Sequence, residues 1–160
     1  MKVAQTGYYA RNRITHVDGT AVFQTEADRE HERDTAARLE QAWRCRIRSF
    51  GTLAPVDWYA ERDGRLIGVV ELKARPHAST RYPTVYLNVR KWLALGLAAT
   101  GLGCPAILVV RLSVGLFWVS LSEIDAGCHR ISGCMTIVKS TTDIEPIIEI
   151  PIATLRRVTT

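Results

Sequence analysis

Asp57, Glu71 and Lys73 are the residues whose types and spacing in this chain support chemistry. Pro55-Val56-Asp57 is followed, across one predicted hairpin, by Glu71-Leu72-Lys73. Two carboxylates converging from adjacent strands make a site for a hard divalent cation, Mg2+ or Mn2+, and the carbonyl of Leu72 could supply a third oxygen. Lys73, two residues beyond Glu71, projects from the same face of its strand. Its amine would orient or help deprotonate a water attacking phosphorus and would offset charge on the phosphate. The chemistry implied is metal-assisted hydrolysis of a phosphodiester.

Whether the carboxylates meet depends on a turn. Val56 to Glu61 and Leu66 to Ala74 are apolar-rich runs flanking Arg62-Asp63-Gly64, the pattern of a hairpin. A three-residue loop with Gly64 left-handed gives strand partners whose numbers sum to an even total, which sets Asp57, Glu71 and Lys73 on one face. A two-residue Asp63-Gly64 loop would set Asp57 on the opposite face; the expectation is the three-residue loop. A cross-strand salt bridge on an exposed face is the plainer reading of the same residues. Val69, Val70 and Leu72 argue against it, because they make the strand largely buried, and buried charges need partners or a metal.

The elements that must position these groups follow from periodicity. Thr25 is a suitable N-cap for a helix from Glu26 to about Trp43, with Ala36, Leu39 and Trp43 as its apolar stripe. Arg44 to Arg48 alternate strictly, so a strand there puts three arginines on one face and Cys45 and Ile47 on the other. A second helix is predicted from Thr84 to about Thr100, ended by Gly101, Gly103 and Pro105. Ala106 to Leu112 and Leu116 to Leu121 read as strands, the first apolar on both faces and therefore central. The order is αβββαββ. Residues 1 to 23 are an irregular or short-strand lead-in around the turn signal His16-Val17-Asp18-Gly19. Ile147 to Ile152 is a further strand candidate without an assigned place.

Motif and element order together resemble the PD-(D/E)XK nuclease superfamily, here as Pro55-Val56-Asp57 and Glu71-Leu72-Lys73, over about residues 24 to 121. The resemblance implies an α/β, restriction-endonuclease-like αβββαβ core, a mixed central sheet flanked by helices, with extra C-terminal strands. It further implies a Mg2+- or Mn2+-dependent deoxyribonuclease acting by in-line attack and leaving a 5'-phosphate. Family members often add an acid from the first helix; among Glu26, Glu30, Glu32 and Asp34, Glu32 continues the apolar stripe and is the candidate. Its plain reading is a solvated acid paired with Arg29 or Arg33. Family members also often dimerise, so a homodimer is compatible with the resemblance.

One hundred and sixty residues suit a single domain, taken here as 1–160, since roughly 100 to 200 residues make one. No apolar run approaches the roughly 20 residues that cross a bilayer. The absence of an N-terminal apolar leader, and four cysteines without a CxxC pair, point to a soluble cytoplasmic protein. The net charge is +5, carried by 17 Arg and only 4 Lys. From Leu72 to Ser122 there is no acid, yet Lys73, Arg75, Arg81, Arg90, Lys91 and Arg111 lie there. Such a split marks a polyanion-binding face, with DNA as the expected partner. Arg75, Arg81, Arg90 and Lys91, with Arg44, Arg46 and Arg48 on the first strand, are the candidate nucleic-acid contacts. Lys91 reads equally as a lysine snorkelling beside Trp92. Tyr82 and Tyr86 read as closing the core edge, with base stacking as the other option. Cys128, His129 and Cys134 lack the paired spacing of a zinc site. The competing class is a non-catalytic nucleic-acid-binding or assembly module that uses the same basic face only to hold phosphates.

Overall fold

The computed structural model describes residues 14–15, 21–22, 26–51, 54–75, 82–124, 131–133 and 146–159. The chain divides into two compact units, residues 1–36 and 37–160. In the first unit, β1 (Ile14–Thr15) and β2 (Ala21–Val22) pair antiparallel, the short-strand lead-in expected from the sequence. Helix α1 (Glu26–Trp43) starts there, and its first turn carries Glu26 and Asp28, acids that complement the positive end of a helix. The N-cap expected at Thr25 lies outside the described residues.

The second unit is built on strands β3 (Arg46–Ser49), β4 (Trp58–Arg62), β5 (Arg65–Ala74), β6 (Thr84–Asn88), β7 (Ala106–Leu112), β8 (Gly115–Ser120), β9 (Ile131–Gly133), β10 (Pro146–Pro151) and β11 (Arg156–Arg157), with helix α2 (Val89–Leu102) between β6 and β7. Six of them form one mixed sheet in the order β11-β8-β7-β5-β4-β3. Its single parallel pair is β5 with β7, and the connection between them runs through α2, as parallel neighbours require. A second sheet, β6-β10-β9, is antiparallel.

Strand β7 is central, as its two-faced apolar run predicts. Leu108, Val109 and Val110 are almost wholly buried. Burying a side chain of this kind contributes roughly 1.5–3 kcal/mol. On the face carrying Val69, Leu108 and Val110, the core also takes in Val85 and Leu87 of β6, Ile148 and Ile150 of β10, and Leu95 of α2. On the other face, Trp118 pairs with Val109 across the ladder and meets Trp43 of α1 edge-on at 6.0 Å. The end of α1 is held by Arg62 of β4, whose guanidinium donates to the Trp43 and Arg44 carbonyls that a helix C-terminus leaves unpaired.

Three expectations are corrected. The hairpin loop has two residues, not three: Arg62 pairs with Arg65, and Asp63 and Gly64 both have positive φ, 51° and 72°, the signature of a type I′ turn. Taken alone, that loop would turn Asp57 away from Glu71. A β-bulge between Ala60 and Glu61 reverses the outcome, because Glu61 pairs with Leu66 but Ala60 pairs with Gly68, leaving Ile67 as the extra residue. Beyond the bulge, partners sum to an even number, so Asp57 falls on the Glu71 face after all. Second, residues 84–88 are strand and not helix. Val85 and Leu87 alternate into the core and pair with Ile150 and Ile148, partners some sixty residues away that no local pattern reveals. Third, Arg44 lies in the turn after α1 with φ 50°, so β3 begins at Arg46. Gly103, left-handed at φ 63°, ends α2 by donating its N–H to the Ala99 and Thr100 carbonyls, within the Gly101-Gly103-Pro105 stop expected from the sequence.

Candidate active site

Asp57 stands at the entrance to β4, Glu71 lies in β5, and Lys91 reaches them from the first turn of α2. Glu71 is only 4% exposed and sits one residue from Val70 and two from Val69, both fully buried. A carboxylate in such a place needs partners. It has one in Lys91, whose Nζ lies 2.9 Å from Glu71 Oε1 and 3.0 Å from Oε2. The same Nζ is 3.1 Å from Asp57 Oδ1, and Asp57 Oδ2 accepts the Leu72 amide at 3.1 Å. Asp57 is thus fixed from both sides.

Electrostatics follow from this packing. Burial, then the neighbouring Asp57 charge, push Glu71 up to about 7, against the pull of Lys91. For Lys91 burial disfavours the charged form, but the Glu71 and Asp57 carboxylates and their hydrogen bonds outweigh it and hold the amine above its ordinary value. Lys73 moves the other way: burial, followed by the Arg75 charge, lowers it despite Glu71 and Asp57. A lysine lowered by burial is closer to the condition in which it can accept a proton.

These donors fit a divalent cation. Two carboxylates, in one case through both oxygens, already surround a single cationic atom at 2.9–3.1 Å. Among the described residues no group of three or more His, Cys, Asp or Glu is placed to hold a metal ion together. Two protein carboxylates with the remaining positions left to water and substrate phosphate is the usual arrangement for Mg2+. At Leu72 the group seen in contact with the motif is the amide, on Asp57.

A family model described as "Phage putative PDDEXK endonuclease" matches residues 20–158. The chain belongs to that phage PDDEXK endonuclease family. Its fold is also similar to that of Hjc, a Holliday junction resolvase from the archaeal hyperthermophile Archaeoglobus fulgidus, with 15% identity, a TM-score of 0.55, and coverage of 81% of this chain and 90% of that one. No curated protein matches the chain. The restriction-endonuclease-like α/β core and mixed sheet expected from the motif are therefore those of this endonuclease family member. No helix among the described residues is long and apolar enough to cross a membrane.

The remaining predicted residues of the endonuclease take several positions. Lys91, expected as a phosphate contact, is instead paired with both motif carboxylates. Nothing in the spacing links position 91 to positions 57 and 71, and starting the helix at Thr84 would have put Lys91 in its second turn; the Val85/Leu87 alternation was the signal that could have moved that start. Arg75 lies with its guanidinium 5.0 Å above the Tyr86 ring, and its amide donates to the Arg111 carbonyl at 2.8 Å. Arg90 is exposed on α2. Arg44, Arg46 and Arg48 are exposed, and Arg48 lies 3.7 Å from Glu61. Glu32 is half-buried on the part of α1 that belongs to the first unit. Glu26 pairs with Arg29 and Arg33. Arg81, His16, His77, Cys128, His129 and Cys134 lie outside the described residues.

Proposed function

We propose that this endonuclease family member is a divalent-metal-dependent deoxyribonuclease, with cytoplasmic DNA as its substrate, guided more by DNA structure than by a long sequence. The observation that carries the reading is the convergence of Asp57 and Glu71 on one cationic atom, Lys91 Nζ. Asp57, Glu71 and the Leu72 carbonyl would hold Mg2+ or Mn2+. Bound there, the cation would polarise a phosphoryl oxygen and lower the pKa of a water. Asp57, held by the Leu72 amide, keeps its carboxylate aimed into the site. Lys73 orients the attacking water and takes up its proton, a task that its lowered pKa favours. Glu32 is proposed as an auxiliary acid. Arg75, fixed on Tyr86, and Arg81, Arg90, Arg44, Arg46 and Arg48 would hold the DNA backbone, a largely sequence-independent mode. Hjc is a junction resolvase, so a four-way junction leads the substrates to test, with two copies of the chain cutting paired strands.

The test is incubation of labelled single-stranded, duplex, flap and four-way-junction DNAs with Mg2+, Mn2+ or chelator, beside Glu71→Ala. Cleavage that needs the cation and is lost in Glu71→Ala is expected. Salt-sensitive DNA binding by both proteins, with no cleavage of any substrate, would assign the chain to the non-catalytic binding class instead.

A further inference from the structure

We propose that Lys91 is an internal competitor for the carboxylate pair: it holds Asp57 and Glu71 together while the site is metal-free, and it must leave them when they take a divalent cation. Lys91 is then a positioning residue of the site, and the proposal rests on the reading of Asp57 and Glu71 as metal ligands.

Geometry makes the two occupancies exclusive. The ammonium touches both oxygens of Glu71 and one of Asp57 at 2.9–3.1 Å. A cation bound by those oxygens at about 2.0–2.6 Å would occupy the same gap, and two cations sharing it would repel strongly in a part-buried place. The pairing also organises the ligands: with Asp57 Oδ2 on the Leu72 amide and Oδ1 on Lys91, the two acids stay face to face although their like charges oppose it.

Two features around Lys91 favour release. It stands in the first turn of α2, where the helix dipole disfavours a cation and no acid of the helix itself compensates. The charge of Lys73, which Lys91 repels in turn, adds repulsion at this corner of the site. The two carboxylates alone oppose these terms, and their charge is spent once another cation holds them. The Lys91 side chain is 33% exposed, so its flexible stem can carry the amine toward solvent with α2 in place.

The experiment is Mn2+ titration of the whole chain at pH 8 without DNA, followed by calorimetry, together with melting temperatures with and without Mn2+. The proteins are wild type, K91M, K91Q and K91R, with R75M as a control that removes an equal charge without touching the carboxylates. If Lys91 holds the pair nine-tenths of the time, removing it tightens Mn2+ binding about tenfold. The expected result is that gain in K91M and K91Q, a change of no more than about threefold in R75M, and a wild-type-like value in K91R. The metal-free melting temperature should fall in K91M and recover with Mn2+. A K91M and K91Q affinity no tighter than that of R75M, or a K91R affinity equal to that of K91M, would overturn the competition while leaving the metal site standing. No Mn2+ binding in wild type and variants alike would overturn the metal reading, and the competition with it.

Discussion

Glu71 is the residue whose replacement separates function from stability most sharply. Its carboxyl is nearly wholly buried and moves from its ordinary 4.5 to about 7 in the fold. Because the folded protein holds this proton more tightly than the unfolded chain, the contribution of this group to stability is fully present below pH 4.5, is lost as pH rises through about 7, and stays lost above it. At about 1.4 kcal/mol per pH unit, the ionised carboxylate costs the metal-free fold about 3 kcal/mol. Glu71→Gln keeps the shape and removes the charge. At pH 8 in chelator it should therefore be more stable than wild type by up to about 3 kcal/mol, roughly 6–12 °C in melting temperature for a domain of this size. At pH 4 the two proteins should melt together. Thermal denaturation of both from pH 4 to 8.5 measures this directly, with cleavage abolished in the variant throughout. A difference that does not grow between pH 5 and 7, or a wild type more stable at pH 8, would refute the reasoning that burial dominates this group.

The same proton sets metal affinity: below about pH 7 the cation must displace it from Glu71, so Mn2+ affinity should rise by close to tenfold per pH unit up to about 7 and level off above, as read by calorimetry. Lys73→Met should lower the cleavage rate by about 10²–10⁴-fold while leaving Mn2+ affinity within a few-fold of wild type, since the lysine acts on the water and not on the cation. Gly64→Ala should cost about 1 kcal/mol in urea denaturation, because φ 72° is strained for any residue with a Cβ, and should leave Mn2+ binding unchanged.

Local signals carried much of this protein. The period of α1, the two-faced apolar run of β7 and the Gly-Pro stop of α2 each depend on residues close in sequence, and the structure agrees with them to within a few positions. Asp57 and Glu71 were legible because the motif spans one hairpin. Their shared face was expected for a reason that the structure replaces: the turn is shorter than foreseen, and the bulge at Ile67 restores the parity. The turn residues Asp63 and Gly64 carry no signal for that bulge, which lies beyond them on β5. Residues 84–88 were hidden for a related cause. Val85, Val89 and Trp92 fit a helical stripe, but Val85 and Leu87 gain more by pairing with β10, a strand that the local pattern could not assign. The Lys91 ion pairs were hidden with them, because the position of Lys91 opposite the carboxylates depends on where α2 begins.

Anomalous scattering from the wild-type protein crystallised with Mn2+ at pH 8 tests the metal site most directly. A peak is expected within about 2.5 Å of both the Asp57 and Glu71 carboxylates, with Lys91 Nζ withdrawn from them. A site with the Lys91 ion pairs intact at saturating Mn2+, and no peak between the two acids, would contradict it.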